Sequence, residues 1–110
     1  MGRSITTTGT VSAVIRNVND NFNAAVNDRI LADSTSGSFT ITLPPNAQLF
    51  ENDTLQIIDV TGGFSTNNVT LDRNGSLILG ATDNVVLDVN GAVLTLLYTG
   101  STYGWIFTGT

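Results

Sequence analysis

The residues of this chain that could carry chemistry are aspartates near the ends of short apolar segments. Glycosidases use two carboxyl groups flanking the bond that they cleave, and the chain offers Asp53, Asp59, Asp72, Asp83 and Asp88. Aspartate is also common at turns, because its side chain accepts hydrogen bonds from nearby backbone N–H groups. No motif places a base beside a nucleophile, so we interpret these aspartates as structural and predict that the protein is not an enzyme.

Metal and cofactor sites find little support in the sequence. A calcium site could use oxygens of Asp83, Asn84, Asp88 and Asn90, but their spacing does not match an EF-hand loop. The chain contains no cysteine and no histidine, which excludes thiolate nucleophiles, imidazole bases and Cys/His zinc sites. We predict no catalytic residue, no metal site and no cofactor.

Aromatic residues cluster near the C-terminus, at Tyr98, Tyr103, Trp105 and Phe107. They could form a platform on which a sugar stacks. Aromatic residues in a terminal hairpin are more often core residues or anchors of a protein interface. We therefore predict that Tyr103 and Trp105 contact a partner.

The chain contains only four basic residues, all of them arginine. Arg29 and Arg73 lie beside acidic residues and are expected to pair with them across strands. Arg3 and Arg16 precede the first acidic residue, Asp20. Since arginine is enriched at interfaces, we predict that Arg3 and Arg16 contact another chain.

Composition excludes several classes of partner. The net charge is −5, with nine acidic residues, which disfavours nucleic acid and anionic membrane surfaces. Only 12% of residues are charged and 41% are hydrophobic, which is not the composition of a disordered chain. No apolar run is long enough to span a membrane, and the first residues lack the apolar core of a secretory signal, so we expect synthesis in the cytoplasm.

Short alternating segments rich in Thr, Val, Ile and Leu predict an all-β fold. The clearest is Ser38-Phe39-Thr40-Ile41-Thr42-Leu43, with apolar residues on one face and threonines on the other. The strands are predicted at residues 29–32, 38–43, 53–60, 69–72, 77–79, 85–89, 92–98 and 105–108. Seven or eight strands at this spacing predict a small antiparallel sandwich or jelly-roll-like barrel, without solenoid repeats.

Turn residues predict how these strands connect. Asn74-Gly75 and Asn90-Gly91 are typical of two-residue hairpins, because a type I′ turn needs positive φ at both central residues. We predict that residues 77–79 pair back across the first turn and that residues 85–89 and 92–98 pair across the second. A looser hairpin is predicted across residues 98–105.

The first 27 residues differ from the rest, because they are rich in Asn and Thr and poor in apolar residues. Val11, Ile15, Val18 and Phe22 follow the spacing of a heptad seam, whereas the many asparagines oppose a helix. We predict an N-terminal arm at residues 1–27, extended or with a short helix, and a β-domain at 28–110. Too small to fold alone, the arm must dock on its own domain, on sister chains or on another protein.

The segments after residue 27 form a distinctive series of strands and turns without catalytic residues. It consists of Asp-Arg-Ile-Leu-Ala-Asp at 28–33, Gly-Ser-Phe-Thr-Ile-Thr-Leu-Pro at 37–44, Asp53-Thr54 before Ile57-Ile58-Asp59, residues 63–71, Arg-Asn-Gly-Ser at 73–76, Leu87-Asp88-Val89, and Thr95-Leu96-Leu97-Tyr98 before Trp105. Over about three quarters of the chain, this series resembles a small trimeric β-domain of tailed-bacteriophage virion proteins.

The resemblance implies a homotrimeric virion component. Because the domain occupies nearly the whole chain, we expect a capsid cement or decoration protein, located on the head surface and bound to the major capsid protein. Its arm would contact the shell, and the expected interface residues are Arg3, Val11, Ile15, Arg16, Val18, Phe22, Tyr103 and Trp105. The alternative is a receptor-binding or glycan-binding tip of a tail fibre or tail knob, acting through exposed loops.

Overall fold

Nine β-strands in two sheets make up the described part of the chain, which a computed structural model defines for residues 13–108. The strands are β1 (Val14–Val18), β2 (Phe22–Asn23), β3 (Asp28–Ala32), β4 (Phe39–Thr42), β5 (Thr54–Asp59), β6 (Val69–Asp72), β7 (Val85–Leu87), β8 (Val93–Tyr98) and β9 (Trp105–Thr108). One turn of 3-10 helix, Asn46–Gln48, lies between β4 and β5. The prediction of an all-β fold is confirmed.

The first six strands alternate between the two sheets. Sheet A has the order β1-β3-β5-β8-β9, and sheet B has the order β2-β4-β6-β7. A chain that crosses to the other sheet and back returns in its original direction, so β1, β3 and β5 are parallel, as are β2, β4 and β6. The antiparallel strand pairs are β5 with β8, β6 with β7, and β8 with β9. The antiparallel arrangement predicted for the sandwich or jelly-roll-like barrel is therefore wrong, since residues 13–108 form two mixed sheets that do not close into a barrel. Two sheets sharing one core remain compatible with a sandwich.

A single apolar core is formed by alternate residues of the strands in both sheets. The burial of β5 alternates at every residue, and that of β4 and β6 does the same. The largest fully buried side chains are Trp105 and Phe64. Each such aliphatic or aromatic side chain contributes about 1.5–3 kcal/mol to folding when removed from water.

The hairpin predicted at Asn90-Gly91 is wrong, because the turn joins the two sheets. Strand β7 before the turn belongs to sheet B, and β8 after it belongs to sheet A. Only Gly91 has a positive φ, of 73°, so the turn is not of type I′. Asn90 Oδ1 accepts a hydrogen bond from the Ser65 N–H and the Gly91 N–H donates to Asp59, so both turn residues are held by the end of β5 and the loop that follows.

The turn predicted at Asn74-Gly75 is confirmed, but the strand after it is not. Both residues have positive φ, of 47° and 90°, as type I′ requires. Strand β6 then pairs with β7 instead of residues 77–79. Within 77–79, only Ile78 forms isolated bridges, to Ala81 and Trp105. The looser hairpin is confirmed, since β8 pairs with β9 across residues 99–104.

The described part of the predicted arm belongs to the sheets. Strand β1 pairs with β3 over five residues and β2 pairs with β4, which rules out a helix at residues 14–18. Val18 and Ala24 are buried in the core. The heptad spacing does not correspond to one face, since Ile15 is exposed and Val18 is buried; docking on the chain's own domain is what the structure shows for residues 14–24.

Deleting residues 1–27 should destabilise the domain. The deletion removes Val18 and Ala24 from the core, leaves β3 and β4 as edge strands with one neighbour each, and takes away both partners of the buried Asp28 carboxylate. We expect the free energy of unfolding, measured by urea denaturation, to fall by more than about 3 kcal/mol, because the lost apolar burial and the unpaired carboxylate add. Deletion of residues 1–12 is the control and should leave the sheets intact; equal unfolding midpoints for the two deletions would contradict this assignment.

Candidate interaction surfaces

Two of the predicted partner contacts are core residues. Val18 is 6% exposed and Trp105 is fully buried, with its ring packed edge-on against Tyr98 at a centroid distance of 5.5 Å. Both lie at inward positions of their strands, where they contact the chain's own core and no partner can reach them. Those two predictions are wrong, and Arg3 and Val11 lie outside the described residues.

Arg16 forms an ion pair within its own chain. Its Nε donates to Asp28 Oδ1 at 3.1 Å, and Asp28 is buried while Arg16 is half-exposed. The second carboxylate oxygen of Asp28 accepts a hydrogen bond from the Ala25 N–H at 2.8 Å. A buried carboxylate needs such partners, so Arg16 holds Asp28. Because the Arg16 side chain is half-exposed, its predicted contact with another chain stays a prediction.

Three of the predicted interface residues remain at or near the surface. Ile15 and Tyr103 are each 62% exposed. Phe22 is partly buried against the core. Exposure leaves Ile15 and Tyr103 free to contact another molecule, and their role at an interface stays a prediction.

The outer face of sheet A carries apolar residues toward both ends of its strands, with the polar row Arg29, Gln56, Thr95 and Thr108 aligned between them. Leu31, Ile58 and Val93 are aligned across β3, β5 and β8, and Leu97 is aligned with Ile106 across β8 and β9. All five are only partly buried. The sequence signal for this face was the doublets Ile30-Leu31, Ile57-Ile58, Leu96-Leu97 and Ile106-Phe107, because adjacent apolar residues in a strand point to opposite faces.

The outer face of sheet B is polar by contrast. Thr40 is aligned with Thr70, and Thr42 with Asp72. Threonine tolerates water and suits a strand, so this face needs no cover. Among the outward residues aligned across β4, β6 and β7, only Val86 is apolar. The outer face of sheet B is therefore mostly polar.

A second apolar surface lies where the two sheets are open at one side. Residues 85–89 and 92–94 and Phe107 line a groove of about 390 Å³ between β7 of sheet B and β8 and β9 of sheet A. We call it the β7–β9 groove. Val86 and Val89 are 54% and 64% exposed, and Asp88 is its single charged residue.

The most elaborate polar cluster surrounds Asp59, at the end of β5. Its Oδ1 accepts hydrogen bonds from the N–H groups of Gly62 and Gly63, at 3.0 and 3.1 Å. Its Oδ2 accepts hydrogen bonds from Phe64 at 3.2 Å and from Gly91 at 2.9 Å. One buried carboxylate thus holds the loop after β5 and the crossing from sheet B to sheet A.

Hydrogen bonding favours the charged form of Asp59. Burial of this carboxyl group would by itself raise its pKa, but the four backbone N–H groups outweigh that effect and lower the pKa below its ordinary value. A pKa held down in this way stabilises the fold and does not equip Asp59 as a general acid or base, which needs a pKa near the working pH.

Other carboxylates serve local turns in the same manner. Asp33 accepts hydrogen bonds from Thr35, Asp53 from the Phe50 N–H and Asp72 from the Asn74 N–H. Within residues 13–108, no group of three acidic residues is arranged to hold a metal ion. The surfaces suited to binding are therefore the apolar ones.

Comparison with known proteins adds no family to this description. No protein-family model matches the chain, and no curated protein matches it. Over the part of the chain that the structure covers, no helix has the length and apolar character needed to cross a membrane.

Proposed function

We propose that the protein is a non-catalytic structural protein that forms homotrimers through the outer face of sheet A. The observation that carries this proposal is the contrast between the two outer faces. Leu31, Ile58 and Val93 form an apolar row across sheet A, whereas the outward rows of sheet B hold Thr40, Thr70 and Val86, and Thr42 and Asp72. Each Å² of apolar surface that a neighbouring copy removes from water stabilises the association by about 25 cal/mol.

The chemistry of the face fits a second copy of the chain. Arg29 is the charged residue of this face among strands β3, β5, β8 and β9, so few charges must be desolvated when two copies meet. A surface that is depleted in charge and rich in aliphatic residues resembles the centre of a homo-oligomer interface.

The resemblance to trimeric phage β-domains extends this proposal to a virion. A trimer that decorates a capsid stabilises it by binding the assembled lattice and not its separated subunits. Three weak contacts with the major capsid protein strengthen one another through effective concentration. Phe50 and Tyr103, which are 76% and 62% exposed, are candidates for these contacts.

Ile58→Glu should dissociate the trimer. A carboxylate in the middle of the apolar face loses its water when copies associate, so we expect the dissociation constant to rise at least about a hundredfold. The matched control is Thr70→Glu, which adds the same charge to an inner strand of sheet B and should leave the trimer intact. Native mass spectrometry measures the oligomeric state, and circular dichroism confirms that each variant is folded.

Two results would contradict the proposal. The wild-type protein would be a monomer at the highest concentration tested, or the two glutamate variants would dissociate equally. Co-sedimentation with phage heads then tests the virion role, with Tyr103→Ala as the variant expected to bind less.

The alternative function, a receptor-binding or glycan-binding tip, would use the same two exposed aromatic residues, Phe50 and Tyr103. The Glu51 side chain lies against Gly100, so the loop that carries Phe50 adjoins the loop that carries Tyr103. Burial of Trp105 removes it from any sugar-stacking surface. Loss of glycan-array binding by Tyr103→Ala, without any binding to heads by the wild type, would favour this alternative.

A further inference from the structure

The β7–β9 groove lies between two edge strands of the described part of the chain. Strand β7 ends sheet B and β9 ends sheet A. Residues 77–79 occupy the edge of β9 at Trp105, whose N–H donates to Leu77 and whose carbonyl oxygen accepts from Leu79, so the part of β9 without a neighbouring segment begins after Trp105. Leu94 and Phe107 pack against the core but stay partly exposed there. The groove is therefore an opening into the core, bordered by the edge of β7 and by the Phe107 end of β9.

Residues 1–12 have the composition to fill such an opening. This segment has no acidic residue and no proline, and six of its twelve residues are Ile, Thr or Val, the residue types most frequent in strands. Its side chains carry one positive charge, that of Arg3. The rest of the chain holds nine acidic residues against three arginines, a net charge of −6, and Asp88 lies in the groove itself. Segment and groove are complementary in charge.

We propose that the β7–β9 groove binds residues 1–12 of a second copy of this chain. The segment adds to the free strand edges, places Ile5 or Val11 against the apolar lining and brings Arg3 near Asp88. It is a recognition mode in which backbone hydrogen bonds give affinity and side chains in the groove give specificity.

A second copy can place more of the segment in the groove than the same copy can. Ala13 lies beside Asn27 and Thr54, at the end of sheet A where β5 begins and β8 ends. From Ala13, the groove lies four strand spacings away across sheet A, about 19 Å, and about 13 Å away along the direction of β8. A segment of the same chain would use about seven of its twelve residues to cover this diagonal of roughly 23 Å at about 3.3 Å per residue. Only residues 1–5 would then reach the groove.

A labelled peptide tests the occupant directly. The probe is a synthetic peptide of residues 1–12 carrying a fluorophore at its C-terminus, titrated with the protein that lacks residues 1–12 and followed by fluorescence anisotropy. We expect saturable binding that Val89→Asp weakens at least tenfold. Leu79→Asp is the matched control, since Leu79 is 59% exposed and lies outside the groove, and it should change the affinity less than twofold. Absence of saturable binding, or equal affinity for both variants, would overturn the proposal.

Complementation tests whether the segment comes from a second copy. This inference rests on the proposed self-association only in that the segment comes from a second copy. Both chains therefore carry Ile58→Glu, which removes the contact through the outer face of sheet A. One chain lacks residues 1–12 and keeps its groove; the other keeps residues 1–12 and carries Val89→Asp. Native mass spectrometry should show a complex only in the mixture. Peptide binding without a mixed complex would assign the groove to the same copy and would refute the intermolecular proposal.

Discussion

Gly104→Ala should abolish folding or lower the free energy of unfolding by more than about 4 kcal/mol, measured by urea denaturation. A Cβ at residue 104 would overlap the carbonyl oxygen of Leu77 and lie 2.9 Å from the Leu77 Cα. Gly104 also has a φ of 70°, which costs an L-residue about 1–2 kcal/mol. The clash adds to this strain, because overpacking against backbone has no flexible side chain to relieve it.

The backbone around Gly104 cannot shift easily to accept a methyl group. The Gly104 N–H donates to Gly100, its carbonyl oxygen accepts from Thr99, and the Trp105 N–H donates to Leu77 at 2.8 Å. Gly91→Ala provides the control, since Gly91 has a φ of 73° and open space around it. A loss for Gly91→Ala as large as that for Gly104→Ala would show that φ, and not the contact with Leu77, sets the cost.

Asp59→Asn should destabilise the protein by about 4 kcal/mol. An amide keeps one acceptor oxygen but turns an NH₂ group toward two of the four backbone donors, so two backbone N–H groups lose their acceptor. Each lost hydrogen bond to a charged group costs about 1.5–3 kcal/mol. Asp72→Asn is the matched control, because Asp72 accepts one hydrogen bond at a partly exposed turn that asparagine serves equally well.

The pH dependence of stability should reveal the same carboxylate. The pKa of Asp59 is lower in the folded protein than its ordinary value of 3.8, so the unfolded chain binds the proton more tightly. Its stabilising contribution is present above the unfolded pKa and is lost as the pH falls through the folded pKa. Urea denaturation between pH 5 and pH 2 should show a steeper loss for the wild type than for Asp59→Asn. Parallel curves would exclude Asp59 as the source.

Strand positions follow from local residue patterns, and most were predictable. In β4, apolar residues alternate with threonines, and the structure places the apolar ones inside. Strand direction and pairing were not predictable in the same way. Alternation shows which face of a strand is buried, but it does not show which sheet the strand joins or whether its neighbour runs parallel.

The two Asn-Gly turns show where local sequence patterns fail to predict the pairing of strands. At Asn74-Gly75, the turn forms as predicted, yet the segment after it turns toward Trp105, whose carbonyl oxygen accepts the Leu79 N–H. At Asn90-Gly91, hydrogen bonds to Asp59 and Ser65 hold the turn in a crossing between sheets. In both places contacts distant in sequence override the local preference.

The candidate surfaces were only partly visible in the sequence. Ile15 and Tyr103 were predicted to be available to partners and are exposed. Val18 and Trp105 were chosen because they are large and apolar, a property that core and interface residues share. The apolar face of sheet A was missed, since a doublet such as Ile57-Ile58 indicates a second apolar face only when the sheet around it is known.

The alternation of β1 to β6 between the sheets also bears on how a newly made chain acquires its shape. Strand β5, at the centre of sheet A, lies between β3, which precedes it, and β8, with Ile57 aligned to Leu94. Such distant pairings slow folding, because chain entropy is lost before the contact forms. Residues 93–98 must therefore be synthesised before β5 can have both of its neighbours.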